Sequence, residues 1–318
     1  MANLNLLFLT VQQMVFKHTY SYILIFAAFM YCGCLPVQDA VEEVRAAGIQ
    51  LETAQKDTTN TVLFDELMEE AREKAWFQQD LGKIMVNVGQ WFEGKPYVAG
   101  SLDESAYEQL VIKLDGFDCV TFVESALALS RVIQDQSYNY TQFVEHMQSQ
   151  RYRDGQMDGY CSRLHYFSEW ILDNGKRGAV KNITADIGGV RFEKQLNFMS
   201  NHRASYKQLE NDSLFAELMK VEQRLQGLVL YYIPQDEISS AYANMKAGDI
   251  IALATDIGGL DVAHTGLVYK HENGNAGLLH ASTARGVIVS PDLQEYVENN
   301  KRQVGIVVAR PLEISSDG

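Results

Sequence analysis

The chain reads as an α+β fold, on three observations. Apolar residues recur at helical spacing through the first part of the body, whereas from Asp249 onward they gather in short β-branched runs separated by Gly, Asn and Asp. Helices first and an antiparallel meander afterwards differ from the strict alternation of a parallel α/β fold. With 318 residues, 47% of them hydrophobic and 10% aromatic, the chain can also bury a full core.

Leu63, Leu67, Ala71 and Ala75 predict a first helix, and Leu81, Ile84, Met85, Val88 and Phe92 a second. The second stops at Gly94-Lys95-Pro96-Tyr97, because Pro lacks an N–H and Gly tolerates left-handed geometry. Phe122, Ala126, Leu129 and Ile133 recur after Cys119, so Cys119 is expected to open a buried helix. Residues 138–226 read as mixed and largely helical, with Leu164, Phe167 and Ile171 on one stripe and Leu214, Leu218, Val221 and Leu225 on another. Strands are expected over Asp249 to Ala254, His264 to Tyr269, Gly277 to Ala281, Val287 to Ser290 and Val304 to Ala309.

Ahead of this body lies a different composition. Lys17 and His18 precede an apolar stretch from Tyr20 to Tyr31 and then Cys32-Gly33-Cys34, the charged, apolar, small-residue order of a secretory signal. The apolar part is short for a membrane span, which needs about 20 residues. Residues 1–34 are therefore expected to be a signal, with an uncleaved anchor helix as the alternative. Gly33 before Cys34 resembles a lipoprotein cleavage site, although Tyr31 stands where that pattern prefers Leu. The expected location is exported and periplasmic, with a possible lipid anchor at Cys34 as the contact with membrane. Residues 35–60 are polar and lack aromatics, which predicts a flexible tether, with the domain proper over 61–313. A chain beginning near Thr61 should then hold the whole fold.

Charge and cysteine count narrow the chemistry. The formal net charge is -14, from 41 acidic against 27 basic residues, and no Lys/Arg-rich run is present, so nucleic acid is not an expected partner. Four cysteines in a chain this long do not make a disulfide framework, and two of them fall in the signal. Cys119 and Cys161 remain, and in an oxidising compartment they either pair or serve separately.

Cys119 lies where a polar turn gives way to a helix. A helix N-terminus offers unpaired N–H groups and positive potential, which favour a thiolate and could hold an oxyanion. A buried, inert Cys at a helix start is the plain alternative. Two histidines tip the balance. His264 and His280 lie in strand-like runs joined by Glu272-Asn273-Gly274-Asn275, which has turn chemistry. Folding that hairpin brings them within a residue or two of being opposite, near enough for one imidazole to orient the other. A nucleophile, a base and a group that holds the base are the parts of a cysteine or serine triad. Zinc on Cys119, His264 and His280 is the competing reading, but no His-x-x-x-His or Cys-x-x-Cys spacing supports it, and no metal is expected. Asp118 reads as a capping or solvated carboxylate.

The ordered set of motifs resembles a known family. Gly94 to Gly100, Phe117-Asp118-Cys119, Asp249-Ile250-Ile251, His264 to Val268 and His280-Ala281-Ser282 match the landmarks of NlpC-type papain-like cell-wall hydrolases. Asp118 to Glu124, Tyr160 to Tyr166 and Gly259 to Gly266 look more specifically like the N-acetylmuramoyl-L-alanine amidase-like branch. Val120 stands where many of the wider family have Ser, so that family's substrate preference is not carried over. The resemblance spans roughly residues 62–312. It implies a circularly permuted papain-like fold with the nucleophile helix packed on an antiparallel sheet, Cys119 as nucleophile, His264 as base, His280 as orienting residue and Tyr97 as a pocket tyrosine. It further implies hydrolysis of the amide between N-acetylmuramic acid and L-alanine in small muropeptides, without a cofactor. Asp261 falls inside one matching motif and is a candidate substrate residue.

The helical segment after Cys119 exceeds a minimal core of this kind. Arg163, His165, Tyr166 and Trp170 are the residues expected nearest the pocket, and Arg163 could pair a substrate carboxylate bidentately. Its alternative is a surface helix whose Trp170 packs on the core. Two rival functions stay open: an endopeptidase of the same fold cutting between D-glutamate and a diamino acid, and a non-catalytic muropeptide-binding lipoprotein. Oligomeric state is not legible.

Overall fold

The computed structural model describes residues 58–313. Helices α1 (Thr58–Glu73), α2 (Leu81–Trp91), α3 (Cys119–Gln134), α4 (Tyr140–Arg151) and α5 (Phe167–Lys176) come first. Strands β1 (Val180–Asn182) and β2 (Val190–Phe192), helices α6 (Phe198–Asn201) and α7 (Asp212–Leu225), and strand β3 (Leu230–Pro234) follow. The chain then forms β4 (Ile250–Thr255), β5 (Val262–Lys270), β6 (Ala276–Ser282), β7 (Gly286–Ser290), helix α8 (Leu293–Glu298) and β8 (Gln303–Pro311). The strands make one antiparallel sheet in the order β2-β3-β8-β4-β5-β6-β7, with β1 also paired to β8.

Both faces of this sheet are covered, so its central strand is apolar without alternation. On one face Ile250 and Ala252 of β4 join Leu267, Leu279 and Ala309 in a core shared with helices α1 to α5. On the other, Ile251 and Leu253 join Val268, Leu278 and Val308 beneath Leu293 and Val297 of α8. A third cluster, with Cys161, Tyr166, Leu196, Leu218 and Val221, is the internal packing of the long segment between α4 and β3.

Helix α3 runs through the middle of the first core. Every residue from Thr121 to Ile133 on it is buried, which matches the apolar pattern that predicted it. Its start is held by a capping box: Thr121 N–H donates to Asp118 Oδ1 at 2.7 Å, and Asp118 N–H donates to Thr121 Oγ1 at 2.9 Å. Asp118 is thus a cap, as the sequence suggests.

Three differences from the sequence reading have physical causes. Strands β1 and β2 lie within the segment read as largely helical, and β3 just after it. The first two span three residues each, and β2 has no buried residue, so neither carries a period-2 signal. Ala75 falls outside α1, in left-handed geometry at φ 49°. The body also begins earlier than residue 61. Asn60 is buried within α1, donating through Nδ2 to Ile112 O and accepting from Leu114 N–H at Oδ1, each at 2.8 Å. The expected signal and residues 35–57 of the expected tether lie outside the described residues, and no described helix is long and apolar enough to cross a membrane.

Candidate active site

Cys119 is the first residue of α3 and keeps part of its surface open. It lines a cleft of about 290 Å³ with His264, Val120, Leu260, Asp261, Arg163, His165, Tyr166 and Tyr206. A larger cavity of about 520 Å³, edged by Lys83, Lys246, Lys270 and Arg310, holds neither a cysteine nor a histidine, so chemistry rather than size picks the site. Cys119 and Cys161 are both free thiols, and Cys161 sits in the third cluster with its Sγ 3.4 Å from Leu214 O.

Strand β5 brings in His264. Thr265 Oγ1 donates to Cys119 O at 2.6 Å, tying the strand to the start of α3. Leu253 pairs with His264 and Ala254 with Val262, so Ala263 is the extra residue of a bulge that re-aims the strand beside the cleft. His264 Nε2 lies 2.7 Å from His280 Nδ1, the rings meeting nearly at right angles. The β5–β6 register, Leu267 opposite Leu279, continues to place Gly266 opposite His280, so His264 reaches it diagonally. A Cβ on Gly266 would come within 2.9 Å of His280 Cβ and 2.8 Å of Leu279 O; the missing side chain is what leaves that diagonal open. The far nitrogen of His280, Nε2, lies 3.1 Å from Ser290 Oγ.

Burial sets the electrostatics. It pushes His264 down to about 4 and His280 to about 3, the latter helped by His264 and Arg285, so both imidazoles are neutral near pH 7. The Cys119 thiol is pushed up to about 11, first by burial and then by the Asp118 carboxylate, against the lowering hydrogen bonds of Thr265 and its own N–H. This corrects the expectation from helix position: desolvation and a neighbouring carboxylate outweigh the helix terminus, and the resting pair is thiol and imidazole. Tyr97 is raised to about 12 by burial, then by Cys119, Asp118 and Tyr296. Its place beside the thiol follows from a bridge to Phe117, with Val98 N–H donating to Phe117 O at 2.9 Å. Tyr296 of α8, raised by burial and by Cys119, lies over the histidines, its ring centre 4.8 Å from that of His280.

The ionisable groups of the remaining lining are already paired. Arg163 donates to Asp103 Oδ1 at 2.5 Å and to Leu102 O at 3.1 Å, and its Nε faces Glu108 Oε1 at 3.6 Å. The guanidinium that the sequence offered to a substrate carboxylate is thus held by two of the chain's own. Arg151 and Glu124 form an ion pair at 2.7 Å with each side chain 2% exposed. Asp261 accepts Ser168 N–H at 2.7 Å and Val262 N–H at 2.8 Å, securing the first turn of α5. His165 Nε2 contacts Tyr160 O at 2.8 Å, and Tyr166 O–H donates to Glu222 at 2.7 Å. Trp170 does not reach the cleft: it is 1% exposed and stacks on Phe167, as its plainer alternative held. His280 stands behind His264 and does not line the cleft itself.

Thr265 and Glu124 fell inside the matched motifs without a role of their own, and Ser290, Tyr296 and Arg151 were not singled out in the sequence. Among the described residues no group of three His, Cys, Asp or Glu side chains could hold a metal, and both nitrogens of His280 are engaged by other side chains.

The family model AmiA-like, N-acetylmuramoyl-L-alanine amidase-like, matches residues 87–306. The chain belongs to this amidase-like family. Its fold, helices followed by a mixed helix and antiparallel-sheet body, is the fold of that family. A crystal structure of an N-acetylmuramoyl-L-alanine amidase from Bacteroides uniformis is 34% identical, with TM-score 0.69, covering 73% of this chain and 99% of that one. A Bacteroides fragilis protein named provisionally as a xylanase is 38% identical, with TM-score 0.67 over 70% of this chain and 99% of its own. A Legionella pneumophila protein at 21% identity and TM-score 0.60, covering 81% of this chain and 95% of that one, shares the fold. No curated protein matches the chain.

Proposed function

We propose that this chain is an exported cell-wall amidase of the papain-like, NlpC type that hydrolyses the amide between N-acetylmuramic acid and L-alanine in small muropeptides through Cys119. The observation that carries the reading is the shared cleft of Cys119 and His264, with His264 Nε2 bonded to a second histidine, in a member of the amidase-like family. With Nε2 engaged, Nδ1 is the nitrogen His264 has for the thiol.

The chemistry then runs from neutral partners. As Sγ attacks the lactyl carbonyl carbon, the thiol proton passes to His264 Nδ1. The capping box uses the N–H groups of Asp118 and Thr121, so those of Cys119 and Val120 are the helix-start donors left for the oxyanion. Collapse breaks the C–N bond, and His264 returns the proton to the leaving amine of L-alanine. Water, deprotonated by His264, then opens the thioester, giving the muramic acid carboxyl group and the free thiol.

Glycoside hydrolysis needs one carboxyl free to give a proton and a second to act opposite it. The cleft's carboxyl groups at Asp103, Asp118, Glu124 and Asp261 are each engaged with an arginine or backbone N–H groups. Incubation with defined muropeptides followed by mass spectrometry tests the proposal. A free peptide beginning at L-alanine is the expected product; cleavage after D-glutamate, or none, would overturn it.

A further inference from the structure

We infer that Ser290 is a positioning residue: its Oγ accepts the Nε2–H of His280 and so terminates the tautomer of the histidine pair that leaves His264 Nδ1 without a proton. The inference rests on the cysteine–histidine reading of the cleft, and it concerns the direction of a hydrogen-bond chain rather than the bond the enzyme cuts.

The chain is laid out by strand register. His280 pairs with Ile288 and Leu278 with Ser290, so Ser290 lies diagonal to His280 across β6 and β7, as His264 does across β5 and β6. The line His264, His280, Ser290 therefore crosses three strands, with contacts of 2.7 Å and 3.1 Å. His280 is 1% exposed and Ser290 7%, which leaves water little access to either contact. Two neutral imidazoles joined nitrogen to nitrogen have two arrangements. In one, His264 Nε2–H donates to His280 Nδ1, and His280 Nε2–H donates onward to Ser290 Oγ. In the other, Ser290 O–H donates to His280 Nε2, His280 Nδ1–H donates to His264 Nε2, and the proton of His264 sits on Nδ1, where it cannot accept one from a thiol. The base function selects the first arrangement, and a hydroxyl able to accept is what terminates it. The other charged or titratable groups near the pair are Tyr296 on α8, Arg285 in the β6–β7 turn and Cys119 on α3, which lines the cleft with His264. None of these contacts His280 Nε2 as Ser290 does.

Long-range proton–nitrogen correlation spectra of the 15N-histidine-labelled full chain at neutral pH read the tautomers directly, with assignments from His264→Asn and His280→Asn. Both rings are expected in the Nε2–H form. A predominant Nδ1–H form of His280 in the unsubstituted protein would overturn the inference, and this measurement stands even if a variant fails to fold. Ser290→Ala should populate the Nδ1–H form of both rings. It should also slow iodoacetamide alkylation at Cys119, followed by mass spectrometry of that peptide, about fivefold, the factor one neutral hydrogen bond of ordinary net worth supplies. In that reaction Sγ displaces iodide and the thiol proton goes to His264, so the readout needs no muropeptide. Ser290→Thr should restore rate and tautomer together. Wild-type alkylation across pH 5–9 and unchanged spectra in Ser290→Ala would overturn the inference. A normal Ser290 effect in a protein that cleaves no muropeptide would instead overturn the amidase proposal alone.

Discussion

The cleft handles its polar groups in two opposite ways. Cys119 and His264, with His280 bonded behind His264, are neutral near pH 7, and the first two line the cleft. Arg151, Glu124, Arg163, Asp103 and Asp261 are ionisable groups whose partners are one another or the backbone. The first set is open to a ligand in the cleft. The second is already engaged in structure, which is why removing one member there should unbalance folding first.

The contrast breaks most sharply under substitution of the neutral set. Cys119→Ala and His264→Ala are expected to abolish turnover of muropeptide, because no thioester forms without the sulfur and no proton moves without the imidazole. His280→Ala should leave a measurable remnant after a loss of up to about 10⁴-fold, as orienting residues usually do. Cys119→Ala should unfold near the wild-type midpoint, whereas His280→Ala should unfold earlier, because it removes a 1% exposed side chain bonded to His264 and Ser290. If Cys119→Ala keeps full cleavage after metal is stripped from the solution, the cysteine mechanism fails. Glu124→Gln should do the reverse, lowering unfolding free energy by about 3–5 kcal/mol by stranding the Arg151 charge, with Arg151→Met on top of it recovering much of the loss. Unchanged stability with lost catalysis would move Glu124 into the reactive machinery and dissolve the contrast.

A pH profile sharpens the same point. Because burial lowers His264 to about 4 and raises Cys119 to about 11, kcat/KM should fall at the acid end only as His264 gains its proton. The acid limb is expected well below the ordinary imidazole value of about 6.5. A limb at pH 6–7 would mean that the histidine pair is solvated or holds an ion pair with the thiolate.

How much of this was legible follows from the range of each interaction. His264 and His280 are joined by a short hairpin, so β-branched runs and an Asn-Gly turn are enough to place them within two residues of opposite. The start of α3 was legible because Asp118, Cys119 and Thr121 are neighbours in the chain. Arg163 looked free because Asp103 and Glu108 lie more than fifty residues upstream, and Ser290 and Tyr296 enter only through the register of β7 and the seating of α8. The thiol's raised pKa was illegible for a related reason: local sequence shows the helix terminus but not the desolvation around it.

The smallest expected effect concerns the edge of the body, where neither set is touched. Asn60 satisfies both Ile112 O and Leu114 N–H, and Ile112 and Leu114 are themselves buried. Asn60→Ala should therefore cost about 1–3 kcal/mol, the penalty of leaving buried backbone groups unpaired. Cleavage by the folded fraction should stay at the wild-type level, since Asn60 does not line the cleft. Denaturant unfolding of chains beginning at Thr58 and at Val62 gives the matching comparison, and the shorter one should show the same deficit as Asn60→Ala. Equal stability of the two chains would put the boundary back at residue 61, as the sequence suggested, and would mean that water replaces the asparagine without cost.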